Sequence, residues 1–176
     1  PVRLIAGRTM LPLRFFAEGL GLTVEWDPES RTAFVWTSPS YRAEVASRGG
    51  ERRIGEYLVS LATAAIGSPY AWGGSSPETG FDCSGFIVYL AGQVGIDLPH
   101  TSYGQFQLGI PVALEELAPG DLLFFSTYDD GASHVGIYDG VGAFIHAQNS
   151  EVGVVRTALS NPWWSSRYLG ARRVFR

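Results

Sequence analysis

Apolar positions recur three and four apart at Ile54, Tyr57, Leu58, Leu61, Ala62 and Ala65. That spacing draws one stripe along a helix, which should stop near Gly67-Ser68-Pro69. A turn-rich stretch over 72–80 follows, then a second helical pattern from about Cys83 to Val94 and, after Pro99, a short one over 102–108. From Asp121 the period changes. Apolar and β-branched runs at 122–125, 135–138, 143–147, 152–158 and 168–175 read as strands separated by glycine-bearing turns. Helices first and strands later predict an α+β domain in which N-terminal helices pack on an antiparallel sheet.

The first 37 residues have a pattern of their own. Leu4-Ile5-Ala6 reads as a strand entering a turn at Gly7-Arg8-Thr9. Pro12 suits the first turn of a helix carrying Leu13, Phe16, Ala17 and Leu20, with Gly21 as its stop. Residues 23–26 and 32–36 alternate around Asp27-Pro28-Glu29-Ser30-Arg31, a hairpin signal. The expectation is a small βαββ appendage over 1–37, a linker over 38–51 rich in Ser, Pro and Gly, and a main domain over 52–176.

Composition narrows the function classes. The chain has 176 residues, 45% of them hydrophobic, enough to bury a core without a disulfide or a structural metal. A net charge of −4 argues against nucleic acid as a partner. No apolar run reaches the roughly 18 residues of a membrane span. A single cysteine excludes an internal disulfide and any cysteine-rich zinc module. The sequence opens at Pro1 without Met and reads as a piece of a longer protein.

That one cysteine, Cys83, lies in Phe81-Asp82-Cys83-Ser84-Gly85-Phe86. Asp82 is a favourable N-cap, which would put Cys83 in the first turn of a helix, where free backbone N–H groups and the helix dipole favour a thiolate. A buried inert cysteine is the plainer alternative; the small and polar neighbours Gly80, Asp82, Ser84 and Gly85 weigh against it. His134 and His146 fall on consecutive strands joined by a turn at Asp139-Gly140, so antiparallel pairing would bring their rings together. A thiol nucleophile needs an imidazole as base and then acid, and that imidazole needs a polar group to orient it. Cys83, His134 and His146 fit these roles. The same three side chains would also suit a zinc site completed by water, which spacing leaves open. Asp121, after Pro119-Gly120, reads as a turn residue, Asp129-Asp130 as a solvated loop, and Trp72, Trp163 and Trp164 as core or domain-contact residues.

Six motifs occur in order: Gly67-Ser68-Pro69-Tyr70-Ala71-Trp72-Gly73-Gly74, Phe81-Asp82-Cys83-Ser84-Gly85-Phe86, Leu98-Pro99-His100-Thr101-Ser102, Pro119-Gly120-Asp121-Leu122-Leu123-Phe124-Phe125, Ser133-His134-Val135-Gly136-Ile137-Tyr138 and Phe144-Ile145-His146-Ala147. With them, residues 52–176 resemble the NlpC (NlpC/p-sixty) family of papain-like cysteine peptidases that cut bacterial cell-wall peptides. The resemblance implies Cys83 as nucleophile, His134 as base and His146 as the orienting third residue. It implies an oxyanion or substrate role for Tyr70, and substrate-groove positions for Asp82, Ser84 and Ser102. His100 departs from the arginine common in the family. Through Gly7-Arg8-Thr9, Pro12-Leu13-Arg14, Glu18-Gly19-Leu20-Gly21 and Val24-Glu25-Trp26-Asp27, the appendage resembles part of the copper amine oxidase-like N-terminal module of bacterial surface proteins. No His or Cys precedes Cys83, and Met10 alone makes no copper site, so no metal or other cofactor is expected.

The resemblance implies a peptidoglycan stem-peptide hydrolase cutting between D-γ-glutamate and a diamino acid, in the envelope or outside a bacterial cell, on peptidoglycan or released muropeptides. A related amidase or acyltransferase, or a catalytically inactive wall-binding module, are the alternatives. Asp82, with the hydroxyls of Ser84 and Ser102, would suit the free ammonium of a released stem peptide, or would serve as a helix cap alone.

Overall fold

The computed structural model describes the backbone of Arg3–Ile5, Arg8–Met10, Thr23–Asp27, Thr32–Trp36 and residues 48–175, with side chains from residue 54 onward. The chain forms two compact units, Pro1–Gly50 and Glu51–Arg176. In the first, β1 (Arg3–Ile5) pairs antiparallel with β2 (Arg8–Met10), and β3 (Thr23–Asp27) with β4 (Thr32–Trp36). The second hairpin matches its alternation, with Val24 opposite Val35 and Trp26 opposite Ala33. Arg8 and Thr9 were expected in a turn; they are strand residues opposite Ile5 and Leu4. β-Branched Thr9 favours the extended form. The helix expected over 12–20 lies outside the described residues.

Helix α1 (Arg48–Ala64) runs across the boundary into the second unit and begins inside the span read as linker. Arg48, Gly49 and Gly50 carry no apolar periodicity, so the pattern becomes visible only at Ile54. A two-stranded ribbon of β5 (Ser75–Ser76) and β6 (Gly80–Phe81) leads into α2 (Cys83–Gly92), followed by α3 (Ser102–Phe106). The remaining elements are β7 (Ile110–Val112), β8 (Leu122–Phe125), β9 (His134–Tyr138), β10 (Ala143–Ala147), β11 (Val154–Ala158), α4 (Pro162–Ser165) and β12 (Tyr168–Arg173). Six strands form one antiparallel sheet in the order β11-β10-β9-β8-β12-β7. Neither β5, β6, β7 nor α4 stood out in the sequence, because two to four residues are too few to show a period.

Strand β8 shows how the sheet is held. Leu122 and Phe124 join the core beneath α1 and α2, with Leu58, Ala62, Phe86, Leu90, Val135 and Ile145. Leu123 and Phe125 point to the other face, against Val112, Phe144, Trp164 and Ala171. Covered on both sides, the strand reads as an unbroken apolar run. Asp121 is a turn residue, as expected, since its carboxylate accepts the Ala118 N–H. It also takes two bonds of 2.8 Å from the Arg173 guanidinium, tying the start of β8 to β12. Asp139 steadies the β9–β10 turn by accepting the N–H groups of Val141 and Ala143, and pairs with Arg156 of β11.

Candidate active site

Cys83 is the first residue of α2 and is 5% exposed. Asp82 caps the helix as its residue type suggested: Oδ1 accepts the Gly85 N–H at 2.6 Å and the Ser84 hydroxyl at 3.0 Å, and Oδ2 accepts the Gly73 N–H at 2.8 Å. Gly85 has to be glycine. A Cβ there would fall 2.1 Å from the Gly74 carbonyl oxygen and 2.5 Å from His100 Nε2. The backbone N–H groups of Val135, Ser84 and Cys83 itself surround the sulfur and favour negative charge on it. Val135 follows His134 in the chain, so the thiol sits against the start of β9.

The two histidines meet as the strand pairing implied, though not face to face. With Ile145 opposite Ile137 and Phe144 opposite Tyr138, the register carries His146 to Gly136, two residues along from His134. Such diagonal neighbours on one face remain within reach of a ring. Gly136 makes the contact possible, because a Cβ there would meet the Phe144 ring at 2.7 Å and the His146 Cβ at 3.0 Å. His134 Nε2 and His146 Nδ1 stand 2.7 Å apart, and His146 Nε2 lies 3.0 Å from the Thr157 hydroxyl of β11. Trp164, 6% exposed, packs edge-on against His146 and at a tilt against His134, with ring centres 4.6 and 5.0 Å apart. It is the core residue expected. Trp72, 77% exposed, and Trp163, 48% exposed, lie outside the core and line cavities beside the site.

Burial dominates the protonation states. It pushes the Cys83 thiol up to about 11, with Asp82 adding to the shift, and pushes His134 down to about 3. His146 is also held well below the usual imidazole range, by burial and then by His134. The resting pair is a neutral thiol and a neutral imidazole rather than the thiolate that the helix start suggested, since desolvation outweighs the N–H groups. With His134 Nε2 engaged by His146, its free nitrogen is Nδ1. For Nδ1 to accept a proton, Nε2 must carry the hydrogen and donate to His146 Nδ1, and His146 must in turn donate from Nε2 to Thr157. Thr157 completes this chain. Only its place in β11, two residues from the partner of His146, could have signalled it.

A zinc ion shared by these imidazoles would hold their nitrogens roughly 3.3 Å apart, both lone pairs aimed at the metal. The 2.7 Å contact is a hydrogen bond instead. Among the described residues, no group of three or more His, Cys, Asp and Glu side chains is placed to hold a metal.

Two cavities flank the pair. One, of about 400 Å³, is lined by Cys83, Asp82, Ser84, Ser102, His100 and Tyr70 among others, so the sequence-chosen substrate residues converge there. His100 Nε2 lies 3.2 Å from Asp82 Oδ1, so the residue that departs from the family pattern sits on the cap. The other cavity, of about 600 Å³, is reached by His134 and not by Cys83. Tyr70, Trp72 and Tyr128 line both. Burial raises the Tyr70 hydroxyl to about 12, with Cys83 and Asp82 adding to it, so the phenol keeps its proton as a donor.

The NlpC/P60 family matches residues 67–173, and the chain belongs to that family. The copper amine oxidase N-terminal domain matches residues 1–44, a stretch without His or Cys whose donor set does not fit a copper ion. The chain is 46% identical over 118 residues to gamma-DL-glutamyl hydrolase of Bacillus subtilis, covering 66% of this chain and 28% of that protein. It is 46% identical over 113 residues to murein DD-endopeptidase MepH of Escherichia coli, covering 62% of this chain and 42% of that one. The chain thus spans less than half the length of these relatives. The crystal structure of the NlpC/p60 domain of peptidoglycan hydrolase SagA superposes with a TM-score of 0.59 at 35% identity, covering 67% of this chain and 97% of that domain. An NlpC/P60 family protein from Bacillus cereus gives 0.65 at 28% identity, covering 88% and 51%.

Proposed function

We propose that residues 51–176 form a cysteine endopeptidase that hydrolyses peptidoglycan stem peptides between D-γ-glutamate and a diamino acid, acting in the envelope or outside the cell. The observation that carries this reading is the hydrogen-bonded His134–His146 pair, next in sequence to the N–H that faces the Cys83 sulfur. Relatives named as a glutamyl hydrolase and a murein endopeptidase support the substrate class.

The steps follow from the resting neutral pair. As the Cys83 sulfur attacks the carbonyl carbon, its proton passes to His134 Nδ1, so charge separates only with bond formation. The Cys83 N–H and the Tyr70 hydroxyl stabilise the oxyanion, and His146 stabilises the new imidazolium through its Nδ1. His134 then gives its proton to the leaving nitrogen, the C–N bond breaks, and a thioester remains. Water, deprotonated by His134, cleaves it and restores the thiol. Asp82 keeps an acceptor position on Oδ2, which with the Ser102 hydroxyl would hold the ammonium of a released stem peptide. Peptides with a free N-terminus should therefore be cut about tenfold faster in kcat/KM than acetylated ones, and Asp82→Asn should abolish that ratio.

Mass spectrometry of peptidoglycan digests tests the reading. Wild type should release fragments cut after D-γ-glutamate, and Cys83→Ala none. EDTA should leave the rate unchanged. Binding to cell walls without any cleavage would make the unit a wall-binding module instead.

A further inference from the structure

The two cavities differ in chemistry, and His134 tells them apart. A general acid must face the nitrogen it protonates, so the 600 Å³ cavity that His134 reaches takes the leaving amine, and the 400 Å³ cavity containing Cys83 and Asp82 takes the acyl side. On the acyl side stand the carboxylate of Asp82 and the imidazole of His100. The leaving side is lined by Tyr70, Trp72, Thr127, Tyr128, Gln148, Asn149, Ser150, Asn161, Trp163 and Trp164 besides His134, none of them Asp, Glu, Lys or Arg.

Two of the three amides there, Asn149 and Asn161, are also polarised in one direction. Asn149 Oδ1 accepts the N–H groups of Glu151 and Val152 at 3.0 and 3.2 Å. Asn161 Oδ1 caps α4 by accepting the Trp163 N–H at 3.0 Å. Since backbone N–H groups can only donate, these oxygens are committed, and each side chain has its NH₂ left to offer. Glu151 is exposed and does not line the cavity.

A diamino acid brings a second amine into this space. Free, it is an ammonium, which needs acceptors and would find no carboxylate in the lining and the Asn149 and Asn161 oxygens already engaged. Acylated, it is a neutral amide whose carbonyl accepts from Asn149 or Asn161 and whose acyl chain lies along Trp163. We infer that the leaving-group cavity recognises a diamino acid whose side-chain amine is already acylated, as in a cross-linked or otherwise substituted stem, and discriminates against the free amine. This rests on the endopeptidase reading above.

The test uses matched L-Ala-γ-D-Glu-diamino acid peptides, side-chain amine free or acetylated, in a lysine and a meso-diaminopimelate series, so that strict selectivity for one diamino acid does not hide the effect. The acetylated member should show about tenfold higher kcat/KM, carried mostly by KM. Asn161→Asp sharpens the test. Aspartate still caps α4 but replaces the NH₂ donor with a carboxylate oxygen, so the free-amine peptide should gain and the ratio should fall toward one. An unchanged melting temperature establishes that the variant folds. Equal or faster cleavage of the free-amine peptide by wild type overturns the inference, as does a ratio that Asn161→Asp leaves unmoved. Failure to cut any of the four peptides overturns the endopeptidase reading itself, a result distinct from loss of discrimination.

Discussion

At the scale of single residues, the site is a relay of three side chains whose nitrogens and oxygen must carry their hydrogens in one order. In the proposed mechanism His134 moves the proton, so His134→Ala should lower kcat by about 10²–10⁴-fold in a steady-state assay. His146 accepts and Thr157 anchors. Thr157→Val leaves the His146 Nε2–H without its acceptor, and kcat should fall roughly five- to tenfold, the worth of a hydrogen bond of about 1–1.5 kcal/mol, with KM unchanged. Thr157→Ser keeps the hydroxyl and should restore most of the rate. Equal losses in both variants would mean that packing, and not the hydrogen bond, is what Thr157 supplies. The sequence exposed Cys83, His134 and His146 because their residue types are chemically unusual; it hid Thr157, because threonine in a strand is ordinary.

At the scale of elements, β9 and β10 set the distance between the rings through register, and Gly136 clears the space between them. Gly136→Ala would drive a methyl into the Phe144 ring and the His146 Cβ, so the diagonal contact would open. Activity should drop by at least about tenfold, at a stability cost of about 1–3 kcal/mol in a denaturant titration, typical of an overpacked core position. Full activity with Ala at 136 would show that the His134–His146 contact tolerates a wider spacing than the strands impose. The elements themselves were legible where they were long enough to show a period: α1 from Ile54 onward, α2, and the strands from Leu122 to Ala147. Short pieces such as β7 and α4 exist because neighbours pair with them or pack on them, which no local pattern reports.

At the scale of the whole molecule, the second unit keeps two imidazoles and a thiol neutral inside it, and stability should depend on pH accordingly. His134 and His146 have folded pKa values below the ordinary 6.5, so as pH falls from 6.5 toward 3 the unfolded chain binds protons that the folded one does not. Stability is lost in that window, by about 1.4 kcal/mol per pH unit for each such group. Cys83 shifts the other way, from 9.0 to about 11, so between those values the unfolded chain loses a proton that the folded one keeps, and stability falls as pH rises. Thermal melts of Cys83→Ala and of its combination with His134→Asn should isolate the acid-side term: the double variant should lose less melting temperature between pH 6.5 and 4.5. Parallel losses in the two proteins would mean that His134 is not held neutral by burial.

What the chain determined by itself was whatever acts over a few residues: helical and strand periods, the Asp82 cap, the turn at Asp121, and the order of motifs that names the family. Such signals survive in a sequence because neighbours along the chain create them. Only the tertiary structure decided the rest. It set the diagonal meeting of His134 with His146 across Gly136, and the neutral resting state in which burial overrides the helix start. It also assembled a leaving-group cavity from segments around residues 70, 128, 149 and 163, which share no local pattern and come together only because the sheet and its loops bring them to one place.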